Sequence, residues 1–293
     1  MERIISLGGW ETIVSDESLT VNPRGMSEIV KKWANLFSYE PTWVQKEYEV
    51  PSLIVRLDCV VRDGELGVYE IEERPAGIGL ATLINPEFKE ILVSLRKKWP
   101  LFDVLASGKR RPNDDYLWAT VISFSEAVVA NSSNPLLIRA EPEEKEFLQF
   151  EKRSVSSFSR KGDKSYGIHL GLWREVPSEE DLPWDKPFCL KPTQGSKARD
   201  VKIWLPKHSE KEIFSKGASS RSQILRVLNE RGKMYCQDFI PPMPWGAMCR
   251  ILRVFFAFDT EAKKWIPMGG FWNARPNLLV HGASDSVFGP VML

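Results

Sequence analysis

Residues Arg56 to Gly79, RLDCVVRDGELGVYEIEERPAGIG, set charged side chains into two apolar, strand-like runs, and that combination limits what the chain can build. Successive side chains of a strand point to opposite faces. Arg56 and Asp58 therefore share one face, while Leu53, Val55, Leu57, Cys59 and Val61 share the other; on the return run Glu70 and Glu72 alternate with Tyr69 and Ile71. Register decides whether the charges meet, because a slip of one residue sends a whole side-chain set to the opposite face. A two-residue turn at Asp63-Gly64 with unbroken pairing puts Asp58 opposite Tyr69 and Glu70 opposite Leu57. A three-residue connection through Glu65, or an equivalent bulge, puts Asp58 opposite Glu70 and Arg56 opposite Glu72. The second arrangement keeps the apolar set together and is the one expected. Its carboxylates raise one another's pKa unless a cation or protons neutralise them. An all-oxygen donor set suits Mg²⁺, which commonly takes one or two carboxylates plus substrate phosphates. A solvated hairpin face carrying salt bridges accounts for the same residues, and this segment alone leaves both open.

The chain of 293 residues is long enough for one large domain or two smaller ones with a substantial core. Its net charge of +1 sets up no global field for nucleic acid or an anionic membrane, so a nucleic-acid partner is not expected. Cys59, Cys189, Cys236 and Cys249 stand apart in apolar contexts without a CxxC pair, which reads as buried thiols in a reducing compartment. No apolar run is long enough to span a bilayer and no leader pattern opens the chain, so a cytoplasmic location is expected. His169, His208 and His281 are too few and too dispersed for a zinc site or a His-based triad. The many tryptophans read as packing residues.

Along the chain, residues 26–37 carry Ile29, Val30, Trp33 and Leu36 at helical spacing, and residues 86–99 carry Phe88, Ile91, Leu92 and Leu95 in the same way. Tyr116 to Val129 and Pro135 to Arg139 read as a strand and a short helix. Glu141 to Asp163 reads as an exposed helix and connector, and the acidic, proline-bearing Pro177 to Pro187 as a linker into a new lobe. Two strands then bracket a polar loop, with Lys191 held extended by Pro192. A helix ending at Gly232, the strand MYCQDFIPP, a strand over 249–258 bearing Arg250 and Arg253, and a hairpin into WIPMGGFWNARP follow. Strands and helices alternate without a clean βαβ repeat, which favours an α+β construction.

The order of these segments resembles the circularly permuted ATP-grasp ligases, in particular the synthetase part of the glutathionylspermidine synthase family. The match rests on R-x-D at Arg56 and Asp58 followed by Glu70 and Glu72, on the KP strand at Lys191, on the QDFIP segment from Gln237 to Pro241, and on Pro267 to Trp272 with Arg275 downstream. The resemblance implies an ATP-grasp-like fold with a nucleotide cleft between a small lobe and a larger mixed-sheet lobe. Residues 1–186 would carry the metal-binding hairpin of the large lobe, 187–241 the small lobe and hinge, and 242–293 the strands completing the large lobe.

It further implies ATP and Mg²⁺, with Asp58, Glu70 and Glu72 holding the metal. Lys191, Lys202 and the loop at Gln194, Gly195 and Ser196 would meet the phosphates, and the main chain around Gln237, Asp238, Phe239 and Ile240 would receive the adenine. Arg56, assisted by Arg275, would stabilise the transferring phosphoryl. The implied reaction joins a small-molecule or peptide carboxylate to an amine. Glu72 departs from the family's usual Asn, and the loop has a single glycine. Two other readings use the same acids: a Mg²⁺-dependent nuclease of the PD-(D/E)xK type, and a noncatalytic nucleotide-binding protein on an ATP-grasp frame.

Overall fold

The computed structural model describes residues 2–7, 10–36, 54–72, 75, 77–98, 103–105, 136–138, 155–156, 166–193, 200–206, 217–280 and 285–293. Tyr116 to Val129, most of Glu141 to Asp163, and Gln194, Gly195 and Ser196 lie outside them. In chain order the strands are β1 (Glu2–Leu7), β2 (Trp10–Ser15), β3 (Leu19–Thr20), β4 (Ile54–Arg62), β5 (Glu65–Glu72), β6 (Asp103–Leu105), β7 (Leu136–Ile138) and β8 (Val155–Ser156). They continue as β9 (Arg174–Val176), β10 (Phe188–Pro192), β11 (Lys202–Trp204), β12 (Met234–Asp238), β13 (Met243–Trp245), β14 (Met248–Asp259), β15 (Lys264–Arg275) and β16 (Val287–Met292). The helices are α1 (Arg24–Leu36), α2 (Ile78–Ile84), α3 (Pro86–Arg96), α4 (Tyr166–His169) and α5 (Arg221–Arg231).

Among the described residues the largest sheet has nine strands in the order β1-β2-β16-β15-β14-β4-β5, with β13 on β14 and β3 on β16. Its pairings are antiparallel except where β16 meets β2 and β3, so the architecture is mixed α/β around one large mixed sheet. A second, four-stranded sheet runs β11-β10-β12-β9, and the short β6, β7 and β8 pair in parallel. Residues 136–138, expected as a short helix, are the strand β7, which finds parallel partners on both sides. The stretch from Pro177 to Pro187 is more than a linker: Leu182 is buried and packs with Trp184 against the second sheet.

Alternation along the central strands builds two cores back to back. Met26, Val30, Trp33 and Ala34 of α1 pack on Leu57, Cys59, Leu252, Val254, Phe256 and Trp272. On the opposite face α2 and α3 lay Ile78, Ala81, Phe88 and Leu92 over Ile54, Phe255, Phe271 and Phe288. Burying each large apolar side chain contributes about 1.5–3 kcal/mol, so the two layers pin the central strands from both sides. Arg56 and Asp58 continue the face of Ile54, and Arg253 continues that of Phe255. The charged row therefore lies on the face of α2 and α3, where their apolar cover stops. No described helix is long and apolar enough to cross a membrane.

Two bulges shape this sheet. In β15 the register shifts opposite Phe255 and Phe256, leaving Met268 unpaired before Gly269 and Gly270. A side chain at Gly270 would put a Cβ 2.1 Å from the Arg253 carbonyl oxygen, and one at Gly269 would meet the Val291 carbonyl oxygen at 2.5 Å. Only glycine allows that approach. Asn85, fully buried between α2 and α3, secures the bulge by donating from Nδ2 to the Gly270 and Val291 carbonyls at 3.1 and 2.8 Å. Its Oδ1 accepts from the Phe88 amide and caps α3. Asn85→Leu should lower stability by roughly 3 kcal/mol, from a lost cap and two unmet buried carbonyls, as read from the urea midpoint. Asn85→Asp, which keeps the cap but loses both donors, should recover little of that loss.

Candidate active site

The hairpin of β4 and β5 closes on the two-residue turn Asp63-Gly64, and β5 then carries an extra residue at Tyr69. The bulge shifts the register by one. Asp58 pairs with Glu70 and Arg56 with Glu72, while Leu57 pairs with Ile71. On the other side of β4, β14 sets Arg253 opposite Asp58 and Phe255 opposite Arg56. One face thus gathers Glu70, Asp58 and Arg253 in one cross-strand row, with Glu72 and Arg56 in the next.

The charges are tightly paired. Arg56 donates from Nε and Nη2 to the two Asp58 carboxylate oxygens at 2.6 and 3.0 Å, and its Nη2 lies 2.5 Å from Glu72. Arg253 Nε stands 3.6 Å from Asp58 and makes no hydrogen bond. Arg56 and Asp58 are 4% and 5% exposed, so they form a desolvated pair, whereas Glu72 keeps 27% of its side chain open. Burial opposes the charge of the Arg56 guanidinium, but Asp58 and Glu72 outweigh it and push the pKa above its ordinary value. Burial raises the Glu72 pKa against the pull of Arg56, with Glu70 and Asp58 adding repulsion. Burial, then Arg56, lowers that of Arg253.

Three carboxylates face two guanidinium groups, leaving one negative charge in excess, and every anionic donor is an oxygen. That donor chemistry fits a hard divalent cation. Among the described residues no three His, Cys, Asp or Glu side chains already stand in a metal-holding arrangement, and both Asp58 oxygens are given to Arg56.

The second sheet meets this row along the edge of β5. Lys191 on β10, 5% exposed, donates from Nζ to the Tyr69 carbonyl and to Gln237 Oε1, each at 2.6 Å. Gln237 on β12 donates from Nε2 to the Val68 carbonyl at 2.7 Å. Trp173 lies under the ammonium, its ring centroid 4.9 Å away. Tyr69 Oη donates to the Ile240 carbonyl at 3.1 Å, and Tyr166 Oη accepts from the Ile71 amide and donates to its carbonyl. Side chains thus satisfy the backbone groups that an edge strand leaves unpaired. Phe239 joins Cys189, Ile203, Cys249 and Leu278 in an apolar cluster between the two sheets.

Arg56, Asp58, Glu70, Glu72, Lys191, Gln237 and Ile240 are therefore brought together, with Phe239 beside them. Two expected side chains, those of Lys202 and Arg275, are not. Lys202 pairs in register with Leu190 and shares the α5 side of its sheet with Trp204, because alternation turns Ile203 inward instead. The Asp238 side chain points outward, 77% exposed, and pairs with Lys186 at 3.0 Å, while its expected role was a main-chain one. Arg275 sits opposite Cys249, six residues along β14 from the Arg56 row, or roughly 20 Å at the rise of a strand. There it holds the loop, donating to the Leu279 carbonyl at 3.2 Å and pairing with Asp285 at 3.0 Å.

Sequence reasoning assigned no role to Arg253, Trp173, Tyr166 or Asn273. Asn273 on β15 is completely buried, flanked in register by Ile251 and Phe288, and neither its Nδ2 nor its Oδ1 has a hydrogen-bond partner. Leaving one such group unmet costs about 1–3 kcal/mol. The signal for Arg253 and Asn273 was present in RILRVFF and FWNARP as polar residues inside apolar strands.

No family model matches the chain, and no curated protein matches it in sequence. In structure it is similar to a protein from Methylobacillus flagellatus KT described as "Putative gamma-glutamylcysteine synthetase", with a TM-score of 0.52 and 10% identity over 92% of this chain and 85% of that one. A glutathione synthetase-like effector from Globodera pallida aligns with a TM-score of 0.44 and 11% identity, over 92% and 80% of the two chains. At 10% identity the first likeness is one of fold alone.

The raised pKa of Glu72 has a stability consequence. A carboxyl whose folded pKa exceeds its unfolded one binds more protons in the native state, so stability falls as pH rises from the unfolded value through the folded one. Glu72→Gln should therefore stabilise the fold at pH 7–8 and lose that advantage toward pH 4, as followed by thermal melts across the range.

Proposed function

We propose that this chain is an ATP- and Mg²⁺-dependent ligase of the circularly permuted ATP-grasp type, joining a carboxylate to an amine. One observation carries the reading: Lys191 of the small sheet reaches the carbonyl of Tyr69, the residue before Glu70, so a fixed cation and the acidic hairpin share one site. Residues more than a hundred positions apart converge there.

In this reading the substrate carboxylate oxygen attacks the γ-phosphorus of ATP, the bond to the bridging oxygen breaks, and ADP leaves. The amine nitrogen then attacks the acyl carbon, inorganic phosphate departs, and the amine proton passes to solvent. Phosphoryl transfer of this kind needs positioning and electrostatic stabilisation and no side-chain nucleophile. Glu70 and Glu72, with Asp58 behind them, would hold Mg²⁺, whose contribution when bound is to neutralise phosphate charge. Lys191 holds its positive charge still between a carbonyl, an amide oxygen and a ring face. Arg56, fixed by two carboxylates, is the candidate for charge building on the transferring group. The apolar cluster around Phe239, beside the backbone at Gln237 to Ile240, suits a purine ring. The residues expected to meet phosphates reduce to Lys191 and the loop at 194–196, and Arg275 holds its loop.

A second reading has an observation of its own. Both Asp58 oxygens are occupied by Arg56 and Glu72 stands in place of Asn, which favours a nucleotide-binding protein without turnover.

ATP with Mg²⁺ at a hundredfold excess over its dissociation constant should stabilise the protein by about 2.7 kcal/mol. Glu70→Gln should remove the part of the thermal shift that depends on Mg²⁺ while leaving a shift with nucleotide alone. Phosphate release with a carboxylate and amine present supports the ligase, and a full Mg²⁺-ATP shift without release under any such mixture supports the noncatalytic reading. Absence of any shift with ATP rejects both.

A further inference from the structure

Residues 276–280 lie between the two sheets, in the space that the ligase reading gives to the purine. They leave β15 after Arg275 and put Leu278, 6% exposed, into one cluster with Ile203 and Cys249, while Leu279 and Val280 pack against the same cluster. Cys189 and Ile203 come from the second sheet and Cys249 from β14, so Leu278 is wedged between two sheets that share no strand pairing. Phe239, beside the backbone from Gln237 to Ile240, packs there as well. The approach to the small-sheet side is close. A Cβ at Gly217 would stand 2.5 Å from Asn277 Oδ1 and 3.3 Å from Leu278 Cβ, and Gly217 is two residues before Ser219, whose amide donates to the Ile203 carbonyl at 2.7 Å. Interiors are close-packed, so an apolar wall covered by a leucine presents its face to a flat base only once that leucine moves.

The segment can leave as a unit. Its Leu279 amide donates to Asn277 Oδ1 at 2.8 Å, its Val280 amide donates to the Leu278 carbonyl at 3.0 Å, and its Leu279 carbonyl accepts from Arg275 Nη1 at 3.2 Å. Arg275 Nη2 also pairs with Asp285 at 3.0 Å. These polar ties lie within the segment or at its base, and apolar contact is what seats it between the sheets. Withdrawal therefore exposes side chains without stranding these backbone donors and acceptors, a local opening that needs far less than global unfolding. We propose that residues 276–280 form an autoinhibitory strap. With Leu278 seated, the nucleotide-free protein is closed to purines; a purine nucleotide takes over the apolar contacts of Leu278 once the strap swings out. Arg275 with Asp285 is the latch that sets how often it opens. Apparent affinity scales with the fraction of molecules competent to bind, so loosening the strap tightens binding. The proposal rests on the nucleotide-binding reading of the cleft.

Calorimetry with ADP on the full chain, beside hydrogen exchange of the same proteins read by mass spectrometry, tests the strap. Leu278→Ala and Arg275→Gln should each bind ADP about tenfold more tightly than the unsubstituted chain, because the open fraction grows. A leucine that only lined the purine space would give the opposite sign, weaker binding in Leu278→Ala. In the ligand-free protein the amides of 277–280 should exchange roughly tenfold or more faster than those of β14, and faster again in both variants. ADP should raise exchange in 277–280 while slowing it at Gln237 to Ile240, whereas burial under a bound base would slow both. Arg275→Gln leaves the apolar cluster untouched and carries the test if Leu278→Ala fails to fold. The proposal is overturned if the variants bind ADP no more tightly, if ADP protects 277–280, or if that segment exchanges as slowly as β14. Absence of ADP binding in all three proteins removes the nucleotide-binding reading and the strap's role with it; ADP binding that leaves 277–280 unmoved removes the strap alone.

Discussion

The bulge at Tyr69 is the constraint on which the site depends. With a two-residue turn at Asp63-Gly64, unbroken pairing would send Glu70 to the far face; the extra residue restores Asp58 to Glu70 and Arg56 to Glu72. It also stands where the edge of β5 meets the second sheet. The carbonyls of Val68 and Tyr69 accept from Gln237 and Lys191, and Tyr69 Oη donates to Ile240. One inserted residue thus sets the face of the acids and the anchoring points of the small sheet. Bulges commonly re-aim side chains in this way near functional sites.

Lys191 shows what this anchoring does electrostatically. A buried ammonium is costly unless its donors are met, and here a carbonyl, a side-chain amide oxygen and the face of Trp173 surround it. Gln237, bridging Lys191 and Val68, fixes both sheets to one position. The charge of Arg56 is taken up by Asp58 and Glu72, and such a desolvated pair adds little net stability against an apolar alternative.

The parts of this structure governed by alternation were legible in the sequence. The faces of β4, the bulged register, α1 and α3 within a few residues, and the strand holding Lys191 follow from spacing and from Pro192. The side chains that the structure does not bring to the site are missing from it for two reasons. Whether Lys202 joins Lys191 depends on which face of a three-residue strand turns inward, and that parity is set by contacts with the other sheet. Arg275 was grouped with Arg56 by order along the chain, whereas the two are separated by the length of β14. Resemblance of motifs conveys sequence order; it does not convey distance along a strand.

The same alternation explains why one face of the sheet can serve both stability and chemistry. Phe255 and Phe271 sit under α2 and α3, and the next same-face positions are Arg253 and Asn273. Two residues separate a sealed aromatic layer from a polar one. The helices limit how far water reaches along the strands, so the polar row begins in a low-dielectric setting where each unpaired charge interacts strongly. That setting raises the Glu72 pKa and lowers that of Arg253. The two perturbations have opposite signs because burial disfavours the charged form of an acid and of a base alike.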